Sequence, residues 1–201
     1  MPALAFILSR PRDYPMALLC HRHLALMGWH PSVLIDPAEW IEPQPGALAA
    51  PYAPERRMVG NACHEAILNA LVAHSAPGDI LLKTDCDTRL DPALSDWLMA
   101  RSSHAGTVLL GSQLWGGLWA APRAQVAAVA AVAPTIPRCR CAESHLAICG
   151  LRKHGGITAY PDGQAMVWHH GTPWPDSAAV LTLPRTCTTM SRADYGTALF
   201  S

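Results

Sequence analysis

The sequence lacks an excess of charge of either sign. Fifteen basic and fifteen acidic residues give a formal net charge of zero over 201 residues. Proteins that bind bulk nucleic acid or anionic membranes usually present a surface dominated by positive charge. Composition therefore favours neither nucleic acid nor an anionic membrane as a partner. Only a local patch of positive charge could bind one of them.

Long apolar runs and a disulfide framework are also lacking. No run reaches about 18 consecutive apolar residues, which predicts that no segment spans a membrane. The apolar stretch from Ala3 to Ser9 has no basic leader or cleavage site, so we interpret it as a buried strand. The seven Cys are an odd number without regular spacing. Together these features predict a reduced, cytoplasmic protein.

Apolar runs of strand length alternate with segments of helix length. Ala3 to Ser9 predicts a strand, Asp13 to Gly28 a helix and Pro31 to Asp36 a second strand, which form a βαβ unit with parallel strands. The alternation continues downstream and predicts an α/β fold with a mostly parallel central sheet and helices on both faces. Residues 37–59 contain five Pro and predict a long loop. The pattern fades after residue 172, so we expect a domain over residues 1–172 and a tail over residues 173–201.

Polar residues follow three of the predicted strands. Ser9 and Arg10 lie at the end of the first predicted strand, Asp36 at the end of the second, and Asp85 and Asp87 after a third strand predicted from Asp79 to Thr84. Ligands of open α/β sheets bind beyond the carboxyl ends of the strands. Two acids two residues apart at such an end suit Mg²⁺ or Mn²⁺, which prefer oxygen ligands and share their coordination with phosphates. The structural alternative is a tight turn in which an Asp side chain caps the backbone.

The segment GNACHEAILNALVAHSAPGDILLKTDCDTRLDP resembles the donor site of GT-A glycosyltransferases, in particular the large inverting family. Asn69, Gly78, Asp85 and Asp87 fall at the intervals of that family's Asn, Gly and D-x-D motif. Where the family has an Arg before the Asn, this chain has Leu68. The string KTDCD is also similar to the KTDDD of β-1,3-glycosyltransferases. The resemblance implies that Asp87 holds the metal and that Asp85 reaches the ribose or a metal-bound water.

Segments further downstream extend the resemblance. Residues 116–120, GGLWA, are similar to the GG-aromatic segment that lines the sugar and acceptor pocket. AESHL resembles the E-D-x-x-L element, in which an acid of inverting members deprotonates the acceptor, and this implies Glu143 as the base. MVWHHGT places His169 and His170 where many members have a third protein ligand to the metal.

The resemblance implies a function. The chain would be a metal-dependent glycosyltransferase of the GT-A (Rossmann-like) fold, with Mn²⁺ or Mg²⁺ as cofactor. It would move a sugar from a nucleoside-diphosphate sugar, expected to be UDP-linked, to an acceptor hydroxyl with inversion. The implied donor contacts are Ser9, Arg10, Asp36, Asn69, Lys83, Asp85, Gly116, Gly117 and Trp119. The acceptor stays open, and one candidate is a hydroxymethylated base in DNA that the basic stretch 123–154 would reach.

Two other functions compete with this interpretation. Cys139, Cys141, His145 and Cys149 have a spacing that can hold zinc, which would make the chain a zinc-stabilised binding module without catalysis. Glu143 would then be a structural acid at a helix N-terminus. A nucleotidyltransferase-like enzyme is the second alternative. That class needs a Gly-rich phosphate loop after the first strand, and SRPRDYP at this position contains no Gly.

Overall fold

The computed structural model describes residues 2–36, 46–50, 60–110, 113–136, 143–160 and 167–168. Its strands are β1 (Ala3–Leu8), β2 (His30–Ile35), β3 (Ala47–Ala49), β4 (Ile80–Asp85), β5 (Arg89–Leu90), β6 (Ala105–Leu110), β7 (Gln113–Pro122), β8 (Ile157–Tyr160) and β9 (Val167–Trp168). Its helices are α1 (Tyr14–Leu26), α2 (Gly60–Ala73), α3 (Pro92–Met99), α4 (Arg123–Val132) and α5 (Glu143–Lys153), with short 3₁₀ turns at Pro11–Asp13 and Ala133–Thr135.

Seven strands form one mixed sheet in the order β3-β2-β1-β4-β7-β6-β8. The pairs among β1 to β4 are parallel, as is the pair of β6 with β8. Strand β7 pairs antiparallel with both β4 and β6, so it is the one reversed strand among those described in this sheet. The short strands β5 and β9 form a separate antiparallel pair. The prediction of an α/β fold with a mostly parallel sheet is confirmed.

Both faces of the sheet are covered by helices, as predicted. Side chains alternate along β1, with Ala5 and Ile7 on one face and Phe6 on the other. Helices α1 and α3 pack on the first face, and α2, α4 and α5 pack on the second. A sheet buried on both faces explains why the central strands are apolar along their whole length.

The predicted loop over residues 37–59 contains one strand that the sequence did not indicate. Strand β3 is only three residues, and it pairs with β2 from Val33 to Ile35. Backbone hydrogen bonding to an existing strand edge forms this strand, and the residues Ala-Leu-Ala carry no strand signal of their own. The rest of that loop and the predicted tail over residues 173–201 lie outside the described residues. No described helix combines the length and apolarity needed to cross a bilayer.

A buried histidine on α2 makes the stability of this core depend on pH. His64 is 0% exposed and shares its helix face with Leu68 and Leu71. Neither ring nitrogen has a hydrogen-bond partner within the described part of the chain. Burial lowers the pKa of His64 to about 4, so its ring is neutral at physiological pH.

We expect His64→Leu to reduce the loss of stability on acidification. The unfolded chain protonates His64 near pH 6.5, whereas the folded chain does so only near pH 4. The free energy of unfolding therefore falls as pH falls through this window, by up to ~3 kcal/mol at ~1.4 kcal/mol per pKa unit. Denaturant unfolding at neutral pH and near pH 4 measures the difference between wild type and variant.

The matched control is His74→Leu, which changes an exposed histidine just beyond the end of the same helix. This control should lose stability with falling pH as steeply as the wild type. An equally steep loss in His64→Leu would show that His64 does not carry the effect.

Candidate functional site

The predicted polar residues meet at the carboxyl edge of the sheet. Leu8, the last residue of β1, lies opposite Leu34 of β2 on one side and opposite Asp85 of β4 on the other. Ser9 follows Leu8 and Asp36 follows β2, and both are buried. The parallel order of β2, β1 and β4 therefore places three strand ends side by side.

Asp85 and Lys83 lie on the same face of β4. Side chains alternate along a strand, and Leu81 belongs to the core under α2, α4 and α5. Lys83 and Asp85 follow at intervals of two and point to that face as well. Lys83 is 1% exposed, whereas 33% of the Asp85 side chain is exposed at the strand end. The strand thus buries its cation and presents its acid at the edge.

The Lys83 ammonium group joins two acids from distant parts of the chain. Its Nζ donates to Asp85 Oδ1 at 3.0 Å and to the Gly116 carbonyl oxygen at 3.4 Å. Glu143 Oε2 lies 3.5 Å from the same Nζ. Burial alone would lower the pKa of Lys83, but Asp85 and Glu143 outweigh it and hold the pKa above its ordinary value. The group therefore stays a cation.

Glu143 has one carboxylate oxygen that the bridge does not use. It is the first residue of α5, and 11% of its side chain is exposed. Its Oε1 is buried and has no hydrogen-bond partner among the described residues. Burial raises the pKa of Glu143, Lys83 opposes that rise and Asp85 adds to it, with a net increase. A carboxylate of raised pKa with an unused oxygen is suited to accepting a proton.

Two glycines of β7 set how closely the strand approaches its neighbours. A Cβ atom at Gly116 would lie 2.1 Å from the backbone oxygen of Ser144, so only glycine lets β7 approach the start of α5 at this distance. This approach brings Glu143 over Lys83. A Cβ atom at Gly117 would lie 2.5 Å from the Trp115 ring, so this glycine also serves packing.

Two cysteines at this edge were missed in the sequence. Burial raises the pKa of the Cys63 thiol on α2 to about 12, and Glu143 and Asp36 add to the rise while Lys83 opposes it. Cys63 thus lies close to charges from α5, β4 and the end of β2. Burial also raises the pKa of the Cys86 thiol to about 12, with contributions from the neighbouring acids. A raised pKa disfavours the thiolate, which is the reactive form of a cysteine.

Some predicted donor contacts lie away from this cluster. Asn69 is exposed in the second half of α2, which runs away from the carboxyl edge towards the turn that enters β4. Trp119 is 0% exposed and its indole nitrogen has no hydrogen-bond partner in the described part of the chain. Lys83 lies within the cluster, but it is buried and paired with the two acids. His169 and His170 lie outside the described residues.

The carboxylates at the end of β4 provide only part of the coordination that a divalent cation needs. Asp85 and Asp87 are partly exposed carboxylates at the end of β4, and Lys83 contacts Oδ1 of Asp85, so Oδ2 is the oxygen that an ion would bind. Within the described ranges, no group of three or more His, Cys, Asp or Glu side chains is arranged to hold a metal. Two carboxylates suffice for Mg²⁺ or Mn²⁺ when substrate phosphates and waters complete the coordination.

Two of the four predicted zinc ligands lie on α5. His145 and Cys149 lie one turn apart on α5, but Cys139 and Cys141 fall outside the described residues. Burial raises the pKa of the Cys149 thiol and lowers the pKa of His145.

Comparisons with known proteins give structural likeness only. No protein-family model and no curated protein matches the chain. The apo-form glycosyltransferase GlyE of Streptococcus pneumoniae TIGR4 is similar at 8% identity and a TM-score of 0.48, over 79% of this chain and 45% of GlyE. A glycosyltransferase involved in the glycosylation of the major capsid of PBCV-1 is similar at 12% identity and a TM-score of 0.47, over 79% of this chain and 82% of that chain. At such low identity and TM-score, neither likeness carries an argument about function.

Gly116→Ala is expected to separate β7 from α5. The added methyl group meets the Ser144 carbonyl, which belongs to the backbone and cannot rotate away. We expect a loss of about 1–3 kcal/mol in the free energy of unfolding, the range of overpacked cores. The control Ser144→Ala keeps that carbonyl and should change stability by less than about 0.5 kcal/mol. If Gly116→Ala is as stable as the control, the close approach of β7 to α5 is wrong.

Proposed function

We propose that this chain is a metal-dependent GT-A glycosyltransferase that transfers a sugar from a nucleoside-diphosphate sugar to an acceptor hydroxyl. The observation that carries the proposal is the cluster of Lys83, Asp85 and Glu143 at the carboxyl edge of a mostly parallel sheet. The cluster pairs a partly exposed acid, suited to a cation, with a buried acid of raised pKa, suited to a proton.

The donor binds on the β4 side of the cluster in this proposal. Asp85 and Asp87 would hold the Mn²⁺ or Mg²⁺ ion, which would neutralise charge that develops on the leaving diphosphate. Ser9, Arg10 and Asp36 flank the nucleotide from the ends of β1 and β2. The positions of Asn69 and Trp119 do not support a donor contact, so we leave both out of the proposed site.

The acceptor is activated by Glu143. As the acceptor oxygen attacks the anomeric carbon, its proton passes to the carboxylate of Glu143. The bond between the anomeric carbon and the diphosphate oxygen breaks, and the diphosphate leaves with the electron pair. Attack from the face opposite the diphosphate inverts the configuration of the anomeric carbon. Inversion needs the base and the diphosphate on opposite sides of the sugar, so the proposal requires the sugar to bind between Glu143 and Asp87.

The proposal does not specify the acceptor. Within the basic stretch 123–154 that was expected to reach DNA, the described basic residues differ in their contacts. The Arg123 guanidinium donates to the carbonyl oxygens of Ser75 and Val72, so it holds the end of α2 and is not available for phosphate. Arg152 and Lys153 are exposed at the end of α5. A DNA acceptor therefore remains a prediction that depends on these two residues and on residues outside the described ranges.

Binding of UDP should require a divalent cation and Asp87. Calorimetric titration with UDP, with and without Mn²⁺, is expected to show binding by the wild type only when Mn²⁺ is present. Asp87→Ala should lose most of this binding, because it removes an oxygen ligand of the ion. The control Asp96→Ala removes an exposed acid of α3 and should bind UDP like the wild type.

Two results would contradict the donor site. One is the absence of binding for every nucleoside diphosphate in the presence of Mn²⁺. The other is equal binding by wild type and Asp87→Ala. Zinc that survives dialysis in the purified protein would favour the binding-module alternative.

Glu143→Gln should slow cleavage of the donor and change its pH dependence. Burial raises the pKa of Glu143, so in the wild type the rate should fall on acidification at a pH above the range of an exposed Glu. The variant cannot accept the proton, so we expect a rate lower by about 10²- to 10⁴-fold and no such acid limb. Release of UDP from the bound sugar donor, with water as acceptor, measures both. An unchanged rate and pH profile would remove Glu143 as the base.

A further inference from the structure

Lys83 is a buried cation with all its donors in use. A Lys side chain is almost never fully buried unless it is paired, and Lys83 is 1% exposed. An ammonium group has three N–H donors. Asp85, Glu143 and the Gly116 carbonyl provide three acceptors within 3.5 Å. No donor remains for a substrate phosphate, so Lys83 does not act as a phosphate ligand in this arrangement.

The cation is also fixed in place. Phe6 of β1 and Trp119 of β7 lie opposite Lys83 in the two neighbouring strands, and both are fully buried on the same face. Between these aromatic side chains the Lys83 stem has no route to solvent. Its charge therefore lies directly beside Asp85, 3.0 Å from Oδ1.

This fixed charge bears on the cation site of the proposed function. One positive charge lies between two negative charges, so the three side chains together carry a net charge of −1. A divalent cation that binds at Asp85 without a counter-charge would meet the repulsion of Lys83 at close range. A diphosphate that arrives with the ion returns negative charge to the site and offsets that repulsion.

We propose that Lys83 is an internal counter-ion that prevents Asp85 from binding a divalent cation by itself, so that the cation binds together with the nucleoside diphosphate. This inference rests on the proposed function, and it adds the order of binding to it. Lys83 is a positioning residue here, since it acts through Asp85 and does not touch the substrate.

The test is binding of Mn²⁺ alone, without nucleotide, measured by calorimetry or by electron paramagnetic resonance of free Mn²⁺. Lys83→Met removes the charge and keeps the length of the side chain. We expect Lys83→Met to bind Mn²⁺ at least ~10-fold more tightly than wild type, because a neighbouring cation changes the affinity of a carboxylate for a proton by about one to three pKa units. A circular-dichroism spectrum like that of the wild type shows that the gain does not come from unfolding.

Two controls show whether the gain in Mn²⁺ affinity arises at Asp85. Glu143→Gln removes a charge from the same bridge but leaves Lys83 paired with Asp85 alone, so Mn²⁺ affinity should not increase. Lys83→Met combined with Asp85→Asn should lose the gain, because the oxygen ligand is replaced by an amide. If Lys83→Met binds Mn²⁺ no more tightly than wild type, or gains affinity without Asp85, the inference is overturned.

Lys83→Met leaves two carboxylates without their cation and risks unfolding. In that case the double variant Lys83→Met/Glu143→Gln is compared with Glu143→Gln alone, and the same gain is expected. If wild type binds UDP with Mn²⁺ but neither Lys83→Met variant gains affinity for Mn²⁺ alone, only the counter-ion role fails. If no variant binds a nucleoside diphosphate, the proposed function fails, and the Mn²⁺ affinities still decide whether Lys83 shields Asp85.

Discussion

A single buried ammonium group organises the edge of this sheet. Lys83 is buried between Asp85 and Glu143, two acids that are far apart in sequence. Burying a charge is costly unless partners of opposite charge and satisfied hydrogen bonds compensate for it. Two carboxylates and one carbonyl provide that compensation, so β4, β7 and α5 must come together at this point for the fold to be stable. The same contact brings an acid suited to a cation beside an acid suited to a proton.

The surrounding architecture serves this contact. Parallel pairing of β2, β1 and β4 aligns their carboxyl ends, and the reversed strand β7 brings its glycines beside β4. Gly116 lets the backbone of β7 approach Ser144, which places the N-terminus of α5 over the edge. The negative charge of Glu143 at that N-terminus also interacts favourably with the helix dipole. The structural and catalytic interpretations of Glu143 are therefore compatible, because the same position provides both effects.

Local patterns predicted much of the fold and the general position of the site. The βαβ start, the apolar β4 and the acids at its end follow from periodicity and strand length, which act over a few residues. The sequence also indicates that Lys83 and Asp85 lie on the same face of β4, since residues two apart in a strand do so. Strand β3 was not predicted, because backbone pairing forms it. The meeting of Lys83 with Glu143 was not predicted either, because it depends on a contact between β7 and α5 that no local pattern encodes. Asn69 and Trp119 matched a motif by spacing, and the structure places one on an exposed helix face and the other in the core.

We expect the carboxyl edge of the sheet beside Lys83 to bind a divalent cation together with a diphosphate. Diffraction from crystals grown with Mn²⁺ and UDP, recorded at the manganese absorption edge, tests it most directly. We expect an anomalous peak within coordination distance of Asp85 or Asp87, next to density for the diphosphate. A manganese peak elsewhere on the protein, or a diphosphate bound away from these acids, would contradict it.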